Sequence, residues 1–511
     1  MGKYSIRSTA KILIVYFSIF IYGIMSSASF YDIPSEVEKK LDLKDFGAVG
    51  DGVADDSNAI VKALAFVENK NYTVLDFEGN FVYNLNNKKI QLPKRLSIRF
   101  SGVVLKNAEL IGNNTLIIAD PVRIFDQVRL SGNFVNTDKI YVEWFGTLPN
   151  DASSIDLKTS LEQINKVYFS VSLNSGIYYT KLGNIDLKGI TGISPGQTFV
   201  EFQSNADNLH LFHIGKIKGK VSERTYENNF LKSVSLSLTS SKKIYNNALL
   251  IIGACHQAKI DDVKFIANSA STSLNNRELE YLYSNDKSKE LANVSIRFDG
   301  ASELLDFNNI FTLSDIGIRF TSNTDFVKIS NYSAWNGSNG FSAVYFDDTT
   351  VSNILFTGYQ SWSQGLYGVY AKNATGYNNF VNVKFENVRI EQLNTTVKNN
   401  NKVVAASFYF GDYTHIPNLI LSNIMLAGTA NGIRFGTIKY GRIVLDNISV
   451  LYDQNVQRKY AFEIAFTEGG SAQLSLNNVQ LADDLPVNIQ NGNYLKSDSA
   501  NKFSNIVIKR K

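Results

Sequence analysis

Seven times in the second half of the chain, an asparagine sits between a polar residue and an apolar or aromatic one, at or just before the head of a strand-like run. The triplets are Ser330-Asn331-Tyr332, Ser352-Asn353-Ile354, Glu386-Asn387-Val388, Ser422-Asn423-Ile424, Asp446-Asn447-Ile448, Asn477-Asn478-Val479 and Ser504-Asn505-Ile506. Successive asparagines lie 22, 34, 36, 24, 31 and 27 residues apart. Internal periods of about twenty to fifty residues mark solenoids, which grow by adding coils rather than domains. The shortest interval is close to one turn of a three-sided parallel coil, and the longer ones leave room for loops. An asparagine at a coil corner bonds the backbone of the turn, tolerates left-handed backbone and can stack on its copy in the next coil. These residues therefore read as scaffold. Length alone, at 511 residues, suggests about three domains, an estimate a solenoid evades. Short apolar runs such as Val74-Leu75-Asp76-Phe77 and Leu96-Ser97-Ile98-Arg99-Phe100 continue the strand signal.

Helical patterns are scarce, and the first follows an unusual turn. Residues 45–56 read Asp45-Phe46-Gly47-Ala48-Val49-Gly50-Asp51-Gly52-Val53-Ala54-Asp55-Asp56. Gly47, Gly50 and Gly52 permit positive φ, and Asp55 or Asp56 can accept a bond from a free amide of the first helical turn. Ala59, Ile60, Ala63, Leu64 and Val67 then mark one apolar face. The glycines do not follow the Gly-x-Gly-x-x-Gly order of a nucleotide loop, and no Gly-Lys-Ser/Thr follows. This segment resembles the opening motif of the pectate-lyase-like superfamily, which includes pectin-degrading enzymes, rhamnogalacturonases and phage tailspikes. The resemblance implies an all-β, single-stranded right-handed parallel β-helix with an N-terminal capping helix, and a carbohydrate ligand. A second, degenerate copy runs from Glu143-Trp144-Phe145-Gly146 through Asn150-Asp151 to a helical face of Leu157, Leu161, Ile164 and Val167. It resembles the junction at which the main β-helix of tailspike-like proteins begins. The expected organisation is an N-terminal module over 30–140 and the main solenoid over 141–511.

Residues 1–28 read as a signal peptide. Lys3, Arg7 and Lys11 precede an apolar run from Ile12 to Met25, and Ser26-Ser27-Ala28-Ser29 offers small residues for cleavage. The run is short for a membrane span, so the expected location is secreted or periplasmic, with an uncleaved N-terminal anchor as the alternative. Losing three basic residues and no acids takes the net charge from +4 to +1. A near-neutral chain lacks the clustered positive charge of a nucleic-acid binder. Cys255 is the only cysteine; it lies in an apolar run and reads as buried and inert despite its neighbour His256. His210 and His213, three apart on a strand, should point to opposite faces, and no histidine pair has zinc spacing.

Chemistry is expected in the region 319–391. Asp325, Asp347, Asp348 and Glu391 are the candidate acid, base or metal-binding carboxylates; Arg319, Trp335, Trp362 and Arg389 are the candidate substrate contacts. Asn323-Thr324-Asp325, followed 22 residues later by Asp347-Asp348, resembles the first two signatures of polygalacturonases, and one intervening coil would set these acids side by side. The resemblance stops there. Residues 361–370 contain no Gly-His-Gly, and Arg389-Ile390 is followed by Glu391 instead of lysine. Pectate lyases use a calcium site built from acids; Asp325, Asp347 and Asp348 are the residues that could supply one, without the spacing of a known calcium loop. In Phe385-Glu386-Asn387-Val388-Arg389-Ile390-Glu391-Gln392, alternation puts Val388 and Ile390 on one face and Arg389 and Glu391 on the other.

The expected partner is a polysaccharide, and the expected activity is lysis or hydrolysis of an acidic or capsular glycan. The alternatives are a non-catalytic glycan-binding β-helix of envelope or capsule assembly, and a tailspike-like protein. No nucleic acid and no stable membrane span after signal cleavage are expected. The chain is expected as a monomer or homotrimer, without coiled-coil heptads to argue for the trimer.

Overall fold

The computed structural model describes residues 39–70, 73–137, 139–267, 292–335, 340–363, 366–372, 379–392, 406–411, 415–428, 431–451, 461–481, 487–490, 503–504 and 508–510. The proposed signal peptide and Asn505 lie outside these residues.

The strand ladders run parallel, each strand pairing with its counterpart one coil later. Parallel neighbours need a long crossover; here the other two sides of the coil supply it. The protein is a right-handed parallel β-helix. Its first and second faces lie on single long strands such as Ser302–Ser314 and Thr324–Ala334. The third face is made of short strands such as Ile316–Phe320 and Ser342–Asp347.

The bend between the first and second faces is a column of left-handed residues. Ser233, Asp262, Asn309, Asn331, Gly358, Asn387, Asn423, Asn447 and Asn478 all have φ between 46° and 66°. Asn423 donates to Asn387 at 3.1 Å, Asn447 to Asn423 at 2.8 Å and Asn478 to Asn447 at 2.9 Å. One member of the sequence series belongs elsewhere. Asn353 sits in a second left-handed column with Gln257, Leu304, Phe326 and Asn382, and bonds Asp325 and Asn382. Gly358 fills the slot between Asn331 and Asn387. Its φ of 66° is the left-handed backbone that glycine and asparagine both tolerate, and a Cβ there would sit 3.0 Å from Asn331 Oδ1.

Inward positions stack like on like. Phe320 lies between Phe298 and Phe346, with centroids at 4.4 and 4.9 Å. Phe356 stacks on Phe385 at 4.7 Å and Phe410 on Phe435 at 4.8 Å. Strands from Lys39 to Phe134 form one sheet system and those from Val171 onward another, yet one hydrophobic cluster runs through both by way of Ile140, Val142, Trp144 and Phe145.

The glycine-aspartate turn works in two parts. Asp56 accepts the loop amides of Val49 at 2.7 Å and Gly50 at 3.3 Å, while Asp55 accepts Ser57 N of the first helical turn at 3.0 Å. The helix Ser57–Asn69 buries Ala59, Ile60, Ala63, Leu64 and Val67, the five positions its periodicity marks, against the first coil. In the second copy the cap of the helix Leu157–Ile164 is Asp156, which accepts Lys158 N at 3.0 Å; Asp151 only closes its own turn on Ser153. Beside it, Glu143 is buried. Desolvation pushes its carboxyl above the ordinary value, against the pull of bonds from Tyr178 (2.6 Å) and Asn174 (2.9 Å). No helix among the described residues is long and apolar enough to cross a membrane.

Candidate functional site

The structure divides seven of the eight candidate residues among three places and leaves Asp348 in a turn. Trp335, Trp362, Arg389 and Glu391 come together at the far end of the second face. Ser333 and Ala334 pair with Gln360 and Ser361, and Trp362 pairs with Glu391, so Trp335, Trp362 and Glu391 hold one column on three successive rungs. The two indoles are 51% and 63% exposed and stack at 6.2 Å with planes 12° apart. Arg389, outward like Glu391, bonds it at 3.0 Å, with both side chains partly in solvent. Val388 and Ile390 point into the core, as alternation requires.

Arg319 and Asp347 are on the third face, and they are buried. Arg319 Nη2 donates to Asp347 Oδ2 at 2.6 Å, and both residues are almost fully covered. Tyr345 donates to the other carboxylate oxygen at 3.1 Å, and the guanidinium lies 5.2 Å from the Tyr345 ring. Burial, with the Asp347 charge, pushes the Tyr345 phenol well above its ordinary range. Phe341, Tyr345, Tyr367 and Tyr370 pack around this pair as a second apolar cluster outside the main core.

Asp325 stands at the head of the first face, accepting Asn353 Nδ2 at 2.8 Å and Phe326 N at 2.9 Å. It does not lie beside Asp347. Its partner on the next rung is Ser352, and Asp347 follows Phe346, the partner of Phe320. The preceding coil is 22 residues long, from Val294 to Ile316, but this one takes 26, from Ile316 to Ser342. A 22-residue interval here therefore stops one face short. Asp348 is a left-handed turn residue whose amide donates to Lys372 O. These three acids do not form the cation site that their residue types suggest. Among the described residues, no group of three His, Cys, Asp or Glu side chains is placed to hold an ion.

A fourth cluster carries no local sequence signal, because its members are scattered from 224 to 303. Glu303 gives Oε2 to Arg224 Nη1 at 2.7 Å and Oε1 to His256 Nδ1 at 2.7 Å. A carboxylate only accepts, so Nδ1 carries the proton and Nε2 is the basic nitrogen of the neutral ring. Tyr226, 74% exposed, sets its ring 5.2 Å from the imidazole. Arg224 Nε also donates to Ala301 O at 2.8 Å. Cys255, next door, points into the core, and burial pushes its thiol up to about 12; it is not a nucleophile for His256.

His210 and His213 correct the alternation rule. Their Nε2 and Nδ1 atoms lie 3.2 Å apart, because Leu211 and Phe212 both enter the core and shift the parity of the strand by one. Burial, then the neighbouring positive charges, pushes His210 down to about 3, and burial lowers His213 too. Depressed histidines stabilise the fold above their unfolded pKa, and that contribution is lost as pH falls from about 6.5 toward the folded value. Between roughly pH 7 and pH 4, wild type is expected to lose about 3 kcal/mol more stability than H210Q. Urea unfolding across this range measures the difference; parallel pH profiles would refute it.

No family model matches the sequence, and no curated protein matches it. Among solved structures, the chain is similar to the catalytic domain of a GH87 alpha-1,3-glucanase in complex with nigerose (12% identical, 73% of this chain and 70% of that chain, TM-score 0.42). It is also similar to PfbA, a surface adhesin of Streptococcus pneumoniae (10% identical, 88% and 90%, TM-score 0.31). A third similar structure is tailspike protein 3 of Bacteriophage CBA120 (14% identical, 96% and 68%, TM-score 0.27). At these values the likeness transfers no residue role.

Proposed function

We propose that this chain is a polysaccharide-binding β-helix, acting outside the cytoplasm, whose glycan docks on the Trp335–Trp362 platform. The observation that carries this reading is the pair of exposed, nearly parallel indoles on adjacent rungs. Large apolar rings are seldom left in water as a contiguous patch without a ligand to cover them. Flat aromatic faces suit the C–H faces of sugar rings, and the indole N–H supplies a polar handle. Arg389 and Glu391 on the next rung add groups for hydroxyls or acidic substituents. The rigid backbone holds both rings in place, so little ordering cost accompanies binding.

The near-neutral charge of the mature chain argues against nucleic acid as the stacking partner. This platform is proposed as a binding surface: Glu391 is its only carboxylate and is paired with Arg389, so the two-carboxylate arrangement of a hydrolase is absent among its described residues.

Each indole is expected to contribute about 2 kcal/mol, or roughly 30-fold in affinity. Affinity electrophoresis against capsular and cell-wall glycans, comparing wild type with W335A, W362A and the double variant, checks this. Retention of a bound glycan by the folded double variant at wild-type strength would exclude the platform.

A further inference from the structure

We propose that the head of the first face is a docking surface for an anionic lipid bilayer, with Leu304 and Phe326 entering the acyl layer and the loop 216–226 lying on the headgroups. It does not rest on the tryptophan platform, which lies beyond the opposite end of the same strands.

Two observations meet here. The first is a pair of apolar side chains held out in water at a backbone cost. Leu304 and Phe326 follow Glu303 and Asp325, which are partners on adjacent rungs. They are therefore neighbours in the left-handed column that also holds Gln257, Asn353 and Asn382. Their φ values are 56° and 49°, a region that bulky side chains resist and asparagine tolerates. Burial does not repay them, because they are 44% and 53% exposed. Strain of this kind collects where the displayed side chain has a use.

The second observation is the charge packed beside them. Residues 216–226 read Lys216-Ile217-Lys218-Gly219-Lys220-Val221-Ser222-Glu223-Arg224-Thr225-Tyr226, four cations against one acid. Backbone and side-chain bonds tie this loop to the same strand heads. Ala301 N donates to Gly219 O at 3.0 Å, Arg224 Nε to Ala301 O at 2.8 Å and His256 N to Thr225 O at 2.8 Å. Glu223 is ion-paired with Lys216, and Glu303 with Arg224. Lys218 and Lys220, both exposed, form no ion pair with any described residue. Val221 and Tyr226 are more exposed than either column residue.

A bilayer answers both halves of this surface. Lysine lays its alkyl stem along apolar surface and keeps its ammonium among phosphates, and clustered basic residues are drawn to an anionic leaflet. Val221, Leu304 and Phe326 supply apolar contact below the headgroups. Tyr226, apolar in body with a polar tip, suits the boundary between the two layers. An acidic polysaccharide would satisfy the lysines but leave Val221 and Leu304, which have no flat face to stack on a sugar, in water.

The test uses the chain from Ser29 onward, which contains every described residue, because the apolar run Ile12 to Met25 would enter a bilayer by itself. Co-sedimentation is compared on vesicles of phosphatidylcholine with about one-third phosphatidylglycerol and on phosphatidylcholine alone. Binding is expected to the first only, and to weaken with salt. K218Q/K220Q should lower the partition coefficient roughly 30-fold. L304N/F326N should lower it roughly 10-fold or more, with an unchanged or raised thermal midpoint, since asparagine suits the left-handed column. W335A/W362A should bind vesicles like the parent chain. No binding to the phosphatidylglycerol vesicles, equal binding to both kinds, or unchanged binding in L304N/F326N would each overturn the proposal. So would retention on polygalacturonate that K218Q/K220Q abolishes, in the absence of vesicle binding, since that result identifies an acidic glycan as the occupant.

Discussion

Asp347→Ala is expected to destabilise the protein by about 3–5 kcal/mol, seen as a lower urea midpoint at unchanged slope. The carboxylate is buried against Arg319, with Tyr345 bonding its second oxygen. Removing it takes the hydrogen-bonded carboxylate away from a buried guanidinium beside aromatic rings, and a buried ion pair broken on one side costs far more than the intact pair contributes. Replacing both partners with apolar residues, as in R319M/D347L, is expected to recover most of the loss, because neither charge then needs solvation. This outcome separates a structural role from the catalytic one that the paired aspartates suggest in the sequence. A catalytic acid could be removed at little cost to stability. D347A unfolding within about 0.5 kcal/mol of wild type, the range of an unremarkable surface change, would show that the ion pair does not form as described.

Phe320→Ala is expected to cost a similar amount, about 3–5 kcal/mol. Phe320 is fully buried and stacked on both sides, by Phe298 at 4.4 Å and Phe346 at 4.9 Å. Truncation removes apolar area and leaves a void between two rungs whose backbones are tied together by sheet hydrogen bonds, so the walls cannot collapse. In a solenoid each coil is supported chiefly by its neighbours, so the damage centres on one interface of the stack. F320L, which keeps most of the volume, is expected to lose under about 1.5 kcal/mol. Equal losses for the two variants would mean that ring stacking, and not volume, governs the site.

Much of the architecture was legible before any coordinates. The recurring asparagines announce stacked coils, and the glycine-aspartate turn announces a capping helix whose five apolar positions are the five that become buried. Val388 and Ile390 against Arg389 and Glu391 follow from strand parity alone. Each of these features depends on a few consecutive residues and on a repeat they share, and local physics reads such patterns correctly.

What the chain brings together across coils was decided by register, which interval counting cannot supply when coil length varies. A coil of 26 residues in place of 22 moves Asp347 from a shared site with Asp325 into a buried pair with Arg319. Gly358, with no side chain to signal it, occupies the corner slot while Asn353 belongs to another column. Two consecutive core residues, Leu211 and Phe212, turn His213 onto His210. Arg224, Tyr226, His256 and Glu303 meet only because one coil is laid on the next. Spacing along a chain fixes which face a residue occupies only while every turn has the same length; once loops intervene, the hydrogen-bonded rungs alone determine which side chains are neighbours.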